Sequence, residues 1–382
     1  MLPTLSLYLF CIFTIYMTHE TYMQRCLDLA QNGMRAAMPN PSVGAVLVHN
    51  GRIIGEGHTS AYGGPHGEVN CLNSVKEADR HLIPESTLYV SLEPCSHHGK
   101  TPPCCDLIIQ HQIKNIVVGT IDTFSKVAGN GIQKLREAGN KVTVGVLEKE
   151  CREINRCFFT FHEKQRPYII LKWAESADGF LSPSNRFSDD STSRTIEQSA
   201  NQATRDKAPI WITNRYSRQL VHKWRSEEAA ILVGTQTVLD DNPQLDVRSW
   251  TGPNPMRVVL DRTGRIGDNH YVKNQKIKTI VLTENNNLPN LDNLLYEVVV
   301  FNQNLPQAVC SILHRYGLLS VIIEGGRQTL QTFIDAGLYD EARVFKGTVV
   351  FRNGTPAPQF TGHLTNKETI LDDELLIFRK YD

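Results

Sequence analysis

Short apolar runs alternate with amphipathic stretches along the first part of the chain. Runs of apolar and β-branched residues predict strands at 42–48, 52–57, 87–92 and 115–120. Between these strands, apolar residues at helical spacing predict helices at 22–30, 66–75 and 104–110. Strands that alternate with helices in this way are typical of an α/β sheet with helices packed on its faces.

The second part of the chain carries uninterrupted apolar runs. They predict strands at 168–172, 229–233, 256–260, 278–282, 297–300 and 320–324. Such runs are typical of strands that are covered on both faces. A connecting helix predicted at 148–163 ends before Arg166-Pro167, because the residue before a proline disfavours the helical conformation. We therefore predict two α/β domains, covering 17–160 and 161–382.

The amino terminus, Met1 to Met17, is apolar, and a signal peptide or membrane anchor is one interpretation of it. A signal peptide needs a basic segment and a small-residue cleavage site, whereas the first Lys or Arg of this chain is Arg25. The stretch is also shorter than the roughly 20 apolar residues that span a bilayer. We therefore favour a mis-called start over a targeting segment for residues 1–16, and we expect no association with a membrane.

The chain has 382 residues, with 40 Lys and Arg against 40 Asp and Glu, so its formal net charge is zero. Duplex nucleic acids usually demand a basic face, and this balance therefore disfavours nucleic-acid binding. The nine cysteines are an odd number, which argues against a disulfide framework and for a reducing compartment. We expect a cytoplasmic protein in which some thiols are metal ligands.

One set of residues has the composition of a catalytic zinc site. His66-Gly67-Glu68 opens one predicted helix, and Cys95 and Cys104 lie around the start of another. Deamination of an amidine-like ring needs activated water at neutral pH, and zinc held by one His and two Cys lowers the pKa of water to about 7. A carboxylate two residues after the His can reach that water and move its proton. We predict zinc on His66, Cys95 and Cys104, with Glu68 as the catalytic proton shuttle.

The segment between the two cysteines differs from that of common nucleoside deaminases. Those enzymes use P-C-x-x-C, whereas eight residues separate Cys95 and Cys104 here. The segment holds His97 and Lys100 close to the metal, which suits an anionic, phosphorylated substrate. A nucleoside or tRNA deaminase is one alternative, and a non-catalytic, zinc-stabilised binding module is another, in which Glu68 would have no task.

Two turns in the second part of the chain place glycine between a predicted strand and a helix. They are Val233-Gly234-Thr235-Gln236-Thr237 and Glu324-Gly325-Gly326-Arg327. Glycine lets the backbone approach a phosphate, and the free amide groups at a helix start bind it. Each turn is therefore a candidate anion site, with an ordinary tight turn as the alternative. The dinucleotide fingerprint G-x-G-x-x-G does not occur here.

Several motifs together resemble the bifunctional riboflavin-biosynthesis deaminase/reductase family. In the first half they are Asn40-Pro41-Ser42-Val43-Gly44-Ala45-Val46, His66-Gly67-Glu68, the segment from Glu93 to Cys104, and Val127-Ala128-Gly129-Asn130-Gly131. In the second half they are Arg166 to Lys172, Ser176-Ala177-Asp178-Gly179, Trp211-Ile212-Thr213, Ile231 to Gly234, Asp241-Asn242-Pro243, and Ile323-Glu324-Gly325-Gly326. The resemblance implies a cytidine-deaminase-like three-layer α/β/α domain, followed by a dihydrofolate-reductase-like α/β domain that uses NADPH.

In the first domain, the resemblance implies one zinc ion per chain on the three ligands named above, with Glu68 as the proton shuttle. It implies substrate contacts from Asn40, His58, His97, Lys100 and Asp122. The implied substrate is a small phosphorylated pyrimidine, 2,5-diamino-6-ribosylamino-4(3H)-pyrimidinone 5′-phosphate, which loses ammonia.

In the second domain, the resemblance implies substrate contacts from Lys172, Asp241, Arg248 and Glu324. The residues expected to bind NADPH are Asp178, Trp211, Thr213, Gly234, Thr237, Gly325 and Gly326. Reduction of the ribosyl chain needs a hydride and an acid, and Lys172 and Asp241 are alternative candidates for the acid. Asp246 stands where the family usually has Thr, so we expect Arg248 or Arg225, also a predicted substrate contact, to compensate its charge. We expect a homo-oligomer.

Overall fold

The computed structural model describes residues 18–99, 102–123, 129–184 and 211–380. These residues form two compact units, which divide between Phe159 and Thr160. Each unit is built around its own main β-sheet. No helix within the described ranges is long and apolar enough to cross a membrane. Residues 1–16, for which we predicted a mis-called start, lie outside these ranges.

The first unit is a five-stranded sheet with flanking helices. Its strands are β1 (Gly44–His49), β2 (Arg52–His58), β3 (Thr87–Leu92), β4 (Asn115–Thr120) and β5 (Lys141–Val144). Its helices are α1 (His19–Gln31), α2 (Met34–Ala37), α3 (Gly67–Asn73), α4 (Cys104–Gln110), α5 (Asn130–Glu137) and α6 (Glu148–Ile154), with a 3₁₀ helix at Glu77–Glu85. The strand order is β2-β1-β3-β4-β5. Strand β1 pairs antiparallel with β2 and β3, whereas β3, β4 and β5 are parallel.

Two glycines show that helices lie against both faces of this sheet. A Cβ atom on Gly44 of β1 would lie 1.8 Å from the carbonyl oxygen of Cys26 in α1. A Cβ atom on Gly57 of β2 would lie 2.3 Å from the backbone nitrogen of Cys71 in α3. Gly57 pairs with Ala45, the neighbour of Gly44, and successive residues of a strand point to opposite faces. Helices α1 and α3 therefore cover opposite faces, in the predicted α/β/α order.

The connecting helix predicted at 148–163 is wrong in one respect, because the structure has two helices there. Helix α6 ends at Ile154, and α7 (Arg156–Lys164) begins after Asn155. The buried side chain of Asn155 accepts a hydrogen bond from the backbone N–H of Ser42 at 2.8 Å and donates one to its carbonyl oxygen at 2.9 Å. These long-range bonds hold Asn155 out of a continuous helix and tie it to the segment before β1.

The second unit is built on a nine-stranded sheet, to which a separate pair of strands is added. The strands of the unit are β6 (Tyr168–Glu175), β7 (Phe180–Pro183), β8 (Ala230–Gly234), β9 (Met256–Leu260), β10 (Thr279–Thr283), β11 (Leu294–Val298), β12 (Ser320–Glu324), β13 (Glu341–Lys346), β14 (Gly354–Pro356), β15 (His363–Ile370) and β16 (Asp373–Arg379). Its helices are α8 (Arg215–Glu227), α9 (Thr235–Asp241), α10 (Leu305–Arg315) and α11 (Arg327–Asp335), with a 3₁₀ turn at Tyr271–Lys273.

The sheet order is β11-β10-β9-β8-β12-β6-β13-β16-β15, while β7 and β14 form a separate pair. Every neighbouring pair from β11 to β13 is parallel, and β16 and β15 add antiparallel strands at one edge. Strands β8 and β10, which have a neighbouring strand on each side, are buried throughout, as their uninterrupted apolar runs predicted. The strand predicted at 297–300 is misplaced: β11 spans 294–298 at the other edge, where Val298 and Val300 are exposed.

Candidate active sites

Three potential metal ligands converge in the first unit. His66 is the residue before α3, Cys95 follows the carboxyl end of β3, and Cys104 is the first residue of α4. Nδ1 of His66 lies 3.6 Å from Sγ of Cys95 and 3.4 Å from Sγ of Cys104, and all three ligand atoms lie within 4.8 Å of one another. Tetrahedral zinc with bonds of about 2.0–2.3 Å needs nitrogen–sulfur separations of about 3.6 Å. The donor set and its spacing therefore fit zinc.

The surroundings of Cys95 favour the anionic form that binds metal. Hydrogen bonds from the Cys104 thiol and from His66, together with the backbone N–H of Cys104 at 3.3 Å, outweigh the effect of burial and lower the pKa of Cys95. A thiolate, and not a thiol, is the metal ligand. The start of α4 thus supplies both a ligand and a backbone donor to the site.

Glu68 lies in the first turn of α3, two residues after His66, and only 3% of it is exposed. Burial, followed by the negative charge of Cys95, raises the pKa of Glu68 to about 7. A carboxyl group that titrates near neutral pH can both accept and donate a proton. The structure therefore places a carboxyl group with chemistry suited to proton transfer directly beside the three potential ligands.

The other residues predicted for this site lie in several segments. Asn40 and His58 are half-buried, Asn40 in the turn before β1 and His58 as the last residue of β2. Asp122 is buried and follows β4, while His97 is exposed in the segment between the two cysteine ligands. Lys100 lies outside the described residues. Strands β3 and β4 are parallel neighbours, so Asp122 and the ligand after β3 belong to the same sheet edge, where α/β proteins commonly bind ligands.

Glu93 is a residue of this site to which the sequence analysis gave no role. Its buried carboxylate accepts hydrogen bonds from the backbone N–H groups of Asp122 at 3.2 Å, Gly129 at 3.0 Å, Gly131 at 2.8 Å and Ile132 at 3.2 Å. The sequence feature that could have indicated Glu93 is its position two residues before Cys95, one of the potential metal ligands. Its partners, however, lie 29 to 39 residues further along the chain, and no local pattern indicates them.

In the second unit, three of the predicted substrate residues form an ion-pair cluster. Nη2 of Arg225 lies 2.9 Å from Oε2 of Glu324, and Nζ of Lys172 lies 3.9 Å from the same oxygen. Burial alone would raise the pKa of Glu324, but the charges of Arg225 and Lys172 outweigh it and hold the pKa at about 2. Burial lowers the pKa of Lys172. The cluster lies at the carboxyl end of β12, where Glu324 pairs with Lys172 in the middle of the adjacent strand β6.

Asp246 and Arg248 extend this cluster. Nη1 of Arg248 lies 2.5 Å from Oδ1 of Asp246, and Nη1 of Arg225 donates to the backbone oxygen of Asp246 at 3.3 Å. Nδ1 of His222 lies 2.9 Å from that same oxygen. His222 was missed in the sequence, although its position three residues before Arg225 places both on one face of α8. Two side chains thus hold the backbone next to the Asp246–Arg248 ion pair.

The two glycine turns meet at the carboxyl edge of the parallel strands β8 and β12. The backbone N–H of Gly326 donates to Oγ1 of Thr237 at 2.9 Å. A Cβ atom on Gly234 would lie 2.5 Å from Oγ1 of Thr329, and one on Gly325 would lie 3.5 Å from the nitrogen of Gly234. Side chains at these positions would fill the space between the turns. The turns form a cradle of the kind that binds the phosphates of a dinucleotide.

The remaining residues predicted for the second site are Asp178, Trp211, Thr213 and Asp241. The carboxylate of Asp178 accepts hydrogen bonds from the backbone N–H groups of residues 351 and 352 at 3.1 and 2.7 Å. Trp211 is 56% exposed, with the guanidinium group of Arg218 4.4 Å from its ring centre, and the carbonyl oxygen of Thr213 accepts a bond from Arg218. Asp241 is exposed at the end of α9. The partners of Asp178 and Thr213 in these hydrogen bonds, residues 351 and 352 and Arg218, lie outside the two glycine turns.

Comparisons with known proteins agree with this division of chemistry. Residues 17–120 match the cytidine and deoxycytidylate deaminase zinc-binding region, and residues 167–365 match the RibD C-terminal domain. The chain is 37% identical over 339 residues to the riboflavin biosynthesis protein RibD of Aquifex aeolicus, with 88% of each chain covered. It is 31% identical over 346 residues to RibD of Escherichia coli, covering 86% of this chain and 87% of the relative.

A solved structure gives the same result for the fold. The crystal structure of a diaminohydroxyphosphoribosylaminopyrimidine deaminase/5-amino-6-(5-phosphoribosylamino)uracil reductase from Thermotoga maritima matches with a TM-score of 0.81 at 34% identity, over 95% of this chain and 99% of that one. The predicted fold class and family resemblance are thereby confirmed. The chain belongs to the RibD family of riboflavin biosynthesis proteins and is a bifunctional enzyme with a zinc-binding deaminase domain and a reductase domain.

Proposed function

We propose that residues 17–160 deaminate 2,5-diamino-6-ribosylamino-4(3H)-pyrimidinone 5′-phosphate, and that residues 161–382 reduce the ribosyl group of the product to ribityl with NADPH. The observation that carries this proposal is the convergence of His66, Cys95 and Cys104 beside the buried carboxyl group of Glu68. The name of the Thermotoga maritima relative, which pairs a pyrimidine deaminase with a uracil reductase, supports the choice of substrates.

In the deaminase, the chain's own residues hold one metal ion, orient the substrate and move protons. Zinc, when bound, supplies a Lewis acid that activates water at neutral pH. Glu68 takes one proton from the attacking water and gives it to the ring nitrogen. It then takes the second proton from the newly added hydroxyl group and gives it to the departing amine, which leaves as ammonia. Asn40, His58 and Asp122 bind the pyrimidine, while the side chains of His97 and Lys100 contact its phosphate. A zinc-stabilised binding module would leave the buried Glu68 without a task.

In the reductase, the cofactor is held by the two glycine turns and by three further residues. The turns contribute Gly234, Thr237, Gly325 and Gly326, and the further residues are Asp178, Trp211 and Thr213. NADPH, when bound, supplies the hydride. Lys172, Arg225, Asp241, Arg248 and Glu324 bind the ribose phosphate. We favour Lys172 over Asp241 as the acid, because Lys172 is largely buried beside Glu324 and has a proton to give, whereas Asp241 is exposed to solvent.

The setting of the enzyme follows from the same proposal. Its partners are small phosphorylated pyrimidines, and it works as a homo-oligomer in the cytoplasm. The reducing conditions there suit the eight cysteines among the described residues, since none of these eight forms a disulfide. The zero net charge suits substrates that need only local cations.

The substitution Glu68→Gln tests the deaminase assignment. Gln keeps the shape of the side chain but cannot carry the proton, so ammonia release should fall by a factor of about a thousand while the zinc content stays the same. Glu77→Gln, a change at an exposed carboxylate of the same unit, is the control and should leave both values unchanged. Undiminished ammonia release by the Glu68 variant would refute the role of this residue.

The reductase assignment needs its own measurement. The full chain, mixed with the deaminated product and NADPH, should consume the absorbance of the reduced nicotinamide. The Glu68→Gln variant should do so at the normal rate, because its reductase residues are unchanged. Absence of consumption by the wild-type chain would contradict the proposed reduction and would leave deamination as the activity of the chain.

A further inference from the structure

Glu93 joins three elements of the first unit through one buried carboxylate. Its Oε1 atom accepts hydrogen bonds from the N–H groups of Gly131 and Ile132, in the first turn of α5. Its Oε2 atom accepts from the N–H groups of Gly129 and of Asp122, which follows β4. Glu93 itself comes directly after β3, so the ends of β3 and β4 and the start of α5 meet at this side chain.

A carboxylate is well suited to accept hydrogen bonds from these four backbone N–H groups. The first N–H groups of a helix have no partner within the helix, and the helix dipole favours a negative charge at that end. A carboxylate offers lone pairs on two oxygens, and each oxygen of Glu93 accepts two N–H groups. An uncharged amide in its place would have a single acceptor oxygen and an NH₂ group facing N–H donors.

The same contact lies directly against the backbone that carries the metal ligands. A Cβ atom on Gly131 would lie 2.1 Å from the carbonyl oxygen of Pro94, the residue before Cys95. The thiol of Cys105, the neighbour of Cys104 in α4, donates to that carbonyl oxygen at 3.2 Å. The start of α5 therefore cannot move without disturbing the residues next to both cysteine ligands.

Strand β4 is tied to the same place from its own side. The backbone N–H of Glu93 donates to the carbonyl oxygen of Thr120, the last residue of β4, at 2.9 Å. Two residues later, the N–H of Asp122 returns to the Glu93 carboxylate. The backbone and the side chain of Glu93 thus both hydrogen-bond to residues 120–122. They fix the position of this segment relative to the end of β3, which leads to Cys95.

We propose that Glu93 is a positioning residue for deamination, which holds Asp122 at a set place beside the metal centre so that a substrate bound by Asp122 faces Glu68. The inference rests on the proposed function in one respect, the substrate contact of Asp122. It adds a task for a carboxylate that touches neither metal nor substrate. Loss of this contact should weaken substrate binding more than it slows the chemical step.

The first test is Glu93→Gln in the zinc-loaded, full-length enzyme. A Gln that keeps its oxygen towards Gly131 and Ile132 turns its NH₂ group towards Gly129 and Asp122, so we expect KM for deamination to rise about tenfold with kcat changed less than threefold. Zinc content and NADPH consumption by the second unit should be unchanged. Glu137→Gln, on the exposed side of α5, is the matched control and should leave KM as it is.

A double-mutant cycle with Asp122→Asn shows whether Glu93 acts through Asp122. If it does, the double variant has about the same KM as Asp122→Asn alone, because the contact being positioned has already been lost. Multiplication of the two effects would overturn the inference, since it would mean that Glu93 acts by another route. An unchanged KM in Glu93→Gln, or a loss of zinc from it, would overturn the inference as well.

Failure of the inference and failure of the proposed function give different results. If Glu93→Gln has normal KM while Glu68→Gln has lost ammonia release, deamination stands and the positioning role is refuted. If Asp122→Asn has normal KM, the substrate contact of Asp122 is refuted together with the positioning role. Should Glu93→Gln yield no folded protein, Glu93→Asp, which keeps both acceptor oxygens on a shorter side chain, replaces it in the same cycle, with a raised KM again expected.

Discussion

Three buried glutamates illustrate how the surroundings of one side-chain type decide its role. Glu68 lies out of water beside a thiolate, which raises its pKa to about 7 and allows it to exchange protons. Glu324 is less completely buried, with 13% of its side chain exposed, and the charges of Arg225 and Lys172 hold its pKa at about 2, so that it stays an anion. The carboxylate of Glu93 accepts hydrogen bonds from four backbone N–H groups. Proton transfer, ion pairing and positioning thus follow from local partners.

We expect Glu324→Gln to destabilise the second unit by about 3 kcal/mol at pH 7, because the charges of Arg225 and Lys172 remain buried without their counter-charge. The pKa of about 2 in the folded unit lies below the ordinary value of 4.5. The stabilising effect is therefore complete above pH 4.5 and is lost as the pH falls towards 2. The difference in the free energy of unfolding between wild type and variant should shrink over this range.

Tryptophan fluorescence in urea gives this free energy for the second unit within the full chain, because all four tryptophans lie between residues 173 and 250. Glu284→Gln removes an exposed ion pair with Arg262 and is the control, with an expected effect below about 1 kcal/mol. A difference for Glu324→Gln that stays constant from pH 7 to pH 3 would show that its charge is not the cause.

The carboxylate of Asp246 forms an ion pair with Arg248, a residue that we propose as a contact for the substrate phosphate. We expect Asp246→Asn to lower KM for the reductase substrate about fivefold, since the repulsion between two neighbouring unit charges is worth about 1 kcal/mol in water-like surroundings. The effect should diminish as salt is added. Initial rates of NADPH consumption measure it, with the exposed Asp292→Asn as the control. A raised or unchanged KM would mean that Asp246 does not oppose the substrate phosphate.

At the scale of elements, burial decided which features could be predicted. Strands β8, β10 and β12 are covered on both faces, and their apolar runs indicated them to within a residue or two. The edge hairpin of β15 and β16 escaped prediction, because the residues of β15 are nearly all exposed and form no apolar run. The break between α6 and α7 depends on the contact of Asn155 with a residue 113 positions earlier. Long-range contacts of this kind leave no local periodicity.

The same distinction applies to the candidate sites. The convergence of His66, Cys95 and Cys104 beside Glu68 could be predicted, because zinc chemistry restricts the residue types and their spacing, whatever the fold. The glycine turns could be predicted because a strand, a glycine pair and a helix are consecutive in the chain. Glu93 and His222 could not, because their roles rest on backbone groups that only the folded chain brings to them.

We expect Asn155→Ala to lower the stability of the first unit by about 3 kcal/mol, because it leaves the buried N–H and carbonyl groups of Ser42 without these partners. The urea concentration at which ammonia release is lost should fall, while NADPH consumption in the same samples should be lost at the wild-type concentration. Asn115→Ala, at an exposed position of β4, is the control. Equal shifts for the two variants would show that the Ser42 contact contributes nothing particular.

At the scale of the whole molecule, both units use the same architectural solution for different chemistry. In the first, the parallel strands β3 and β4 lead at their carboxyl ends to Cys95 and Asp122. In the second, the parallel strands β8 and β12 lead to Gly234 and to the Glu324-Gly325-Gly326 turn. Backbone groups and side chains converge at such edges without interrupting the sheet. Each unit therefore brings the candidate groups for its own proposed step to one edge of its sheet.

This separation predicts that a chelator abolishes ammonia release and leaves NADPH consumption with the deaminated product unchanged. The three potential metal ligands belong to the first unit, whereas the ion-pair cluster and the glycine turns belong to the second. Restored zinc should restore ammonia release, and the tryptophan fluorescence of the second unit should stay constant throughout. The same chelator saturated with zinc beforehand is the control. If NADPH consumption fell in proportion to zinc content, the reductase would depend on the metal, and the assignment of separate chemistries to the two units would be wrong.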